Sequence, residues 1–198
     1  MKKAVVIIKT TLILFFITSI SALLLAFVNA KTAPIIEKNE NEKQSLALKA
    51  VMPDAVDFKE ISISDEMEKI SYEAECEINS VYEALSGDGK MIGTCSIITG
   101  SGYSSGLCIA VGVDSELKVT DIKIISSSET PGLGQNASKE DFKGQYKGKN
   151  GELSVVKSGA KDNEINALSG ATLTSKGVTD IVNLAVLTAK LNGGEGNE

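Results

Sequence analysis

From Thr10 to Val28 the chain runs for nineteen residues with no charged side chain, every position apolar or Ser/Thr. As a helix rising ~1.5 Å per residue, that run spans ~28 Å, close to the ~30 Å hydrocarbon core of a bilayer. It exceeds the ~7–15-residue apolar stretch of a secretory signal, so residues 10–30 are read as an uncleaved transmembrane anchor. Val28-Asn29-Ala30 also spells a small-residue cleavage site, and a removed signal is the alternative reading. The head, residues 1–9, carries Lys2, Lys3 and Lys9 and no acid, which favours its retention in the cytoplasm. The expected arrangement is a single pass through the cell membrane with the soluble part on the extracytoplasmic side. With nothing ionisable between Thr10 and Val28, this helix is not expected to conduct ions itself.

Composition narrows the chemistry of the rest. All twenty basic residues are lysines, and there is no His, Arg or Trp. Without imidazole, Ser-His and Cys-His nucleophiles and His-ligated metals are excluded within this chain. Without guanidinium, no planar fork grips phosphate or carboxylate at two points. A phosphorylated ligand must then be held by backbone N–H groups, hydroxyls, lysine or a covalent bond. From Lys31 onward 17 lysines face 26 acidic residues, a net charge of −9 that repels nucleic acid and anionic lipid. Cys76, Cys95 and Cys108 form no metal-type spacing. They read as small buried hydrophobes, with a Cys95–Cys108 pair across a hairpin as the alternative.

The order of elements gives an α+β class. Residues 31–75 read as a helical stalk or linker: Pro34 and a polar stretch lead to an amphipathic helix over Glu37 to Val51, closed by Pro53. Residues 76–192 read as one domain. Four β-rich runs start at Ile78, Met91, Leu107 and Leu117, and the turns Ser86-Gly87-Asp88-Gly89 and Asp114-Ser115 separate them as an antiparallel meander. A short amphipathic piece over Lys139 to Tyr146 and a strand at Leu153 to Val156 follow. Val178, Ile181, Val182, Ala185, Val186 and Ala189 then mark one face of a final helix, which Thr172, Thr174 and Ser175 are placed to cap. Residues 193–198 read as a flexible tail.

Gly102-Tyr103-Ser104-Ser105-Gly106 spells a hydrolase nucleophile elbow, but no histidine exists to take the serine's proton, so it reads as a turn. Two other segments carry more. In Glu129-Thr130-Pro131-Gly132-Leu133-Gly134, Pro-Gly fits the corners of a type II turn, and the second glycine lets backbone approach a planar or anionic ligand. Taken alone it is also readable as a plain loop. Ser169-Gly170-Ala171-Thr172-Leu173-Thr174 lies where the last helix begins, and small residues there leave N–H groups open to a phosphate. Taken alone it is also readable as a capped helix start.

Together the two segments, 35 residues apart and followed by a helix, resemble the FMN-binding domain of RnfG, a component of the Rnf ion-translocating electron-transport complex. The related NqrC component of the sodium-translocating NADH:quinone reductase is similar in the same way. The resemblance implies FMN joined by a phosphoester to Thr172, attached by a separate magnesium-dependent flavin transferase. Ser169, Gly170, Ala171, Leu173 and Thr174 would line the phosphate and ribityl side. Glu129, Thr130, Gly132, Leu133 and Gly134 would cradle the isoalloxazine ring, with Tyr103 stacking nearby. It implies an electron carrier rather than a stand-alone catalyst, without a metal, partnered by the other subunits of such a complex and by the membrane. Three features depart from the family: Asn166 stands where an acidic residue usually precedes the acceptor by six positions, Ser126-Ser127-Ser128 stands where the family commonly has His, and Gly102-Tyr103 continues as Ser104-Ser105-Gly106 in place of the more usual aromatic or Gly filling. A flavin-free binding or assembly module, or a solitary FMN domain for extracellular electron transfer, are the other functions considered.

Overall fold

Helix α1, Lys2–Val51, opens the computed structural model, which describes residues 2–194. The tail expected over residues 193–198 lies, from residue 195 on, outside the described residues. The chain divides between Glu42 and Lys43 into two units. In the first, α1 displays exposed apolar side chains from Ile7 to Val28, and it is the one helix among the described residues long and apolar enough to cross a membrane. The stalk helix was expected to begin after Pro34, yet α1 runs through that proline without a break. A proline inside a helix forfeits one backbone bond and costs ~3 kcal/mol, and in so long a helix the flanking turns absorb it.

The second unit is a five-stranded antiparallel sheet in which every strand pairs with its neighbour in sequence: β1 Asp57–Ile61, β2 Glu77–Leu85, β3 Met91–Ser101, β4 Ser105–Asp114 and β5 Val119–Ser126. The four expected strands are present as β2 to β5. Strand β1 adds a fifth at the edge, where its charged composition, with Lys59 bonded across to Glu83 at 3.3 Å, protects an otherwise open ladder. Helix α2, Asp65–Glu73, lies between β1 and β2; the Ser64 hydroxyl accepts from the Met67 N–H at 3.4 Å and three acids occupy its first turn.

Both faces of the sheet are covered, which is why its central strands read as nearly continuous apolar runs rather than as alternation. Ile98, Ile109 and Val111 face helix α4, Thr172–Gly194, whose Val178, Ile181, Val182 and Ala185 are fully buried. Ile97, Cys95 and Ala110 face the other way, onto Ala47, Leu48, Val51 and Met52 at the end of α1. The Thr120 hydroxyl donates to the Val51 carbonyl at 2.5 Å and fixes that end. Cys95 lies opposite Gly112, and Cys108 opposite Thr99, so the hairpin does not pair the two thiols; all three cysteines are free.

After β5 the chain forms a loop, a 3-10 turn at Gly134–Ser138, the single-turn α3 at Glu140–Lys143, and a parallel pair β6 Ser154–Val156 and β7 Glu164–Asn166. Two side chains bolt this region to α4. The buried Tyr146 hydroxyl lies 2.8 Å from the Thr179 hydroxyl, and the Asn183 amide both accepts from the Leu153 N–H at 2.8 Å and donates to its carbonyl at 2.9 Å.

The start of α4 lies almost on the end of β3, because Gly177 has no side chain: a Cβ there would overlap the Ser101 carbonyl and stand 3.0 Å from the Gly102 Cα. Gly177→Ala is expected to destabilise the second unit by ~1–3 kcal/mol, seen as a lower urea midpoint with an unchanged slope. A second expectation concerns pH. Burial pushes the Cys95 thiol up to about 12, and burial, then Asp180 and Glu75, push Cys76 up to about 11. Unfolded thiols ionise near ~8.5, so the stabilisation from keeping them neutral is complete below that pH and is lost as pH rises through 11 to 12. Urea unfolding from pH 8.5 to 10.5 should therefore show a shallower loss of stability in Cys95→Ala than in the wild type.

Candidate functional site

Three segments meet beside the first turn of α4. The β3–β4 turn brings Gly102 to Ser104, the loop after β5 brings Glu129 to Gly134, and the helix itself brings Thr172 to Thr174. Between them lies a cavity of about 520 Å³, within the ~300–1,000 Å³ of small-molecule sites. Ten of the twelve residues singled out from sequence line it: Tyr103, Glu129, Thr130, Leu133, Gly134, Gly170, Ala171, Thr172, Leu173 and Thr174; Ser169 and Gly132 do not. Gly132 shapes the wall instead. With φ at +79°, and with the Leu133 N–H donating to the Thr130 carbonyl at 3.1 Å, it forms the type II corner that Pro131-Gly132 requires.

A larger cavity, about 660 Å³, lies along the C-terminal half of α4 between Asn183 and Lys190 and beside the β4–β5 turn. It contains none of the twelve residues, and volume alone gives it no chemistry. The smaller cavity has the convergent polar groups and the helix terminus.

The hydroxyls at the start of α4 are not equivalent. The expected caps Thr174 and Ser175 are spent inside the fold: Thr174 donates to a Glu129 carboxylate oxygen at 2.8 Å, while Ser175 donates to the Ala171 carbonyl at 3.0 Å and accepts from the Leu168 N–H at 2.9 Å. Both are fully buried, whereas Thr172 is exposed on the cavity and its hydroxyl has no protein partner among the described residues. The backbone N–H groups of Thr172, Leu173 and Thr174, in the first turn, have no carbonyl three or four residues back to bond within the helix. With the positive end of the helix dipole they form an anion site that needs no cationic side chain.

Apolar side chains also face this space. Tyr103, Leu133 and Leu173 are 74%, 44% and 58% exposed, unusually bare for such side chains, and all three border the cavity. Anionic at one end and flanked by broad apolar faces, the ligand that suits this space is a planar aromatic with a phosphoryl tail. Glu129, expected against the ring, borders the cavity yet is only 3% exposed, with one oxygen accepting from the Ser104 N–H at 3.0 Å and the other from Thr174. Ser104 and Gly102 are thus part of the site, although sequence shows nothing of a contact across 25 residues. Ser127, in the serine run just before Glu129, accepts from the Glu129 N–H at 3.2 Å. Asn166 is tied into its loop, its side-chain oxygen accepting from the Ala160 N–H at 3.0 Å.

Comparison with known proteins agrees with this geometry. Residues 102–187, which contain all three segments, match the FMN-binding domain model, and residues 1–51 match the RnfG N-terminal region. The G component of the Na(+)-translocating ferredoxin:NAD(+) oxidoreductase complex of Acetobacterium woodii is 38% identical over 191 residues, covering 91% of this chain and 90% of that protein. The G component of the proton-translocating ferredoxin:NAD(+) oxidoreductase complex of Clostridium ljungdahlii is 33% identical over 168 residues, covering 84% and 83%. Among solved structures, NqrC of Shewanella oneidensis has the same fold, with a TM-score of 0.53 at 20% identity over 73% of this chain and 74% of that one. The open helix terminus and apolar walls fit FMN, and relatives of such identity over nearly their whole length place the chain in the RnfG family of ion-translocating oxidoreductase subunits, with FMN as its cofactor.

Proposed function

We propose that this chain is a membrane-anchored electron-transfer subunit of an ion-translocating complex of the Rnf type, carrying FMN covalently on Thr172. The anchor is the exposed apolar length of α1, and the partners are the other subunits of a ferredoxin:NAD oxidoreductase. The soluble unit lies on the extracytoplasmic side, the topology that the lysine-rich head favours.

The observation that carries the covalent reading is the inequality of the hydroxyls. Of those at the start of α4, Thr172 alone lines the cavity without a protein partner among the described residues, and it sits beside the unpaired N–H groups that would hold a phosphodiester. Thr130 also borders the cavity, but from the loop after β5 rather than from the helix start. Thr174 is buried and bonded to Glu129, so esterifying it would open the wall. When bound, FMN supplies one- and two-electron redox chemistry. The protein's own part is to bind, orient and shield. Leu133, Leu173 and Tyr103 offer faces to the ring, and Gly170 and Ala171 leave room beside the helix terminus. In a chain without arginine, a covalent link retains a cofactor that noncovalent contacts would hold weakly. Attachment calls for a flavin transferase as a maturation partner.

Co-expression with a flavin transferase, followed by denaturation and electrophoresis, tests this. Flavin fluorescence should travel with the wild type and with Thr130→Ala, and should be abolished in Thr172→Ala, with peptide mass placing the FMN adduct on residue 172. A dark wild type, or a fluorescent Thr172→Ala, removes the assignment.

A further inference from the structure

We infer that Glu129 is a positioning residue: its buried carboxylate ties the three walls of the cavity to one another, and so sets where the flavin faces stand without serving as one of them. The inference rests on the reading of this cavity as the FMN site.

The carboxylate makes no ion pair with a lysine among the described residues. A buried carboxyl group without a counter-ion persists only where hydrogen-bonding partners converge on it, and here they come from two other segments: the Ser104 N–H on one oxygen and the Thr174 hydroxyl on the other, 25 and 45 residues away. Thr174 is the third residue of α4, so the carboxyl group stands at the positive end of the helix. Two glycines are fitted around the same group. A Cβ on Gly102 would lie 2.5 Å from one carboxylate oxygen, and one on Gly134 would overlap the other and stand 2.6 Å from the Thr174 hydroxyl. The site therefore leaves space for this carboxylate from both sides.

What makes the arrangement functional is the identity of the neighbours. Ser104 follows Tyr103, Gly134 follows Leu133 and Thr174 follows Leu173. Each residue gathered about Glu129 is adjacent in sequence to one of the three exposed apolar side chains on the cavity. Bringing the first set together fixes the spacing of the second. A glutamine of the same shape keeps an acceptor for the Ser104 N–H, and its amide donates to the Thr174 oxygen once that hydroxyl turns. An alanine keeps neither.

The test uses the full chain in detergent, first without flavin. Hydrogen exchange is read on the peptide holding Ser104 and, as internal standard, on the β3 and β4 peptides holding Ile97 and Val111. Glu129→Ala should speed exchange at Ser104 about tenfold, the loss of one hydrogen bond to a charged group, and leave the strands protected. Glu129→Gln should restore most of the protection, and Thr174→Val should show an intermediate effect. In flavin-loaded protein, the visible circular dichroism of the flavin should collapse in Glu129→Ala and survive in Glu129→Gln. Unchanged exchange at Ser104 in Glu129→Ala overturns the inference, as does an equal loss of protection in the strands, which would make Glu129 a residue of general stability. Unchanged flavin dichroism in Glu129→Ala overturns it too. If the wild type takes no flavin, the reading of Thr172 fails, while the exchange measurements on the unloaded chain still decide the brace.

Discussion

The packing of α4 against β3 and β4 is the contact on which the site depends. Val178, Ile181, Val182 and Ala185 bury one helix face completely against Ile98, Ile109 and Val111, and burial of this kind contributes ~1.5–3 kcal/mol for each large side chain. The buried face continues into the first turn with Thr174 and Ser175, so the helix start is packed as well as its middle. The N–H groups of that turn are therefore pre-oriented before any ligand arrives, and the β3–β4 turn lies against them through the gap left by Gly177. Tyr146 and Asn183 bring the irregular region after β5 to the same helix, so each wall of the cavity is referred to one rigid element.

The charge economy of the molecule follows from that geometry. A chain with lysine as its only basic residue and a strongly acidic soluble part is poorly equipped to hold an anion by ion pairing. The start of α4 replaces side-chain charge with backbone dipoles, for a buried carboxylate on one side and an open cavity on the other. Lysines stay on the surface in exposed or half-exposed pairs such as Lys118 with Glu116 and Lys59 with Glu83, contacts worth little in stability.

Much of this was legible from residues in order. Turn chemistry and apolar runs located β2 to β5, and helical periodicity located α4. Strand β1 was hidden because an edge strand is built of charged residues, and α2 because its short acidic face resembles a linker. The passage of α1 through Pro34 was hidden as well, since a local rule about proline is outweighed by the turns on either side. At the site, two segments far apart in sequence pointed to the same ligand, and the fold brings ten of the twelve residues around one cavity. What sequence withheld was the division of labour among them. That Thr174 and Ser175 turn inward while Thr172 faces out, and that Glu129 is enclosed, depend on contacts across 4 to 45 residues that no motif encodes.

The sheet is a meander in which each strand bonds to the one made just before it, whereas α4 follows all five strands in the chain. Hairpins of this kind close locally and early, and during synthesis they can form while the last helix is still to be made. The alcohol at Thr172, by contrast, exists as a shaped surface only after that helix has settled on the finished sheet. If FMN is attached there as proposed, loading would be ordered in time: an enzyme that reads the docked helix start would act on folded chains and pass over nascent ones, so that modification would double as a check that folding is complete.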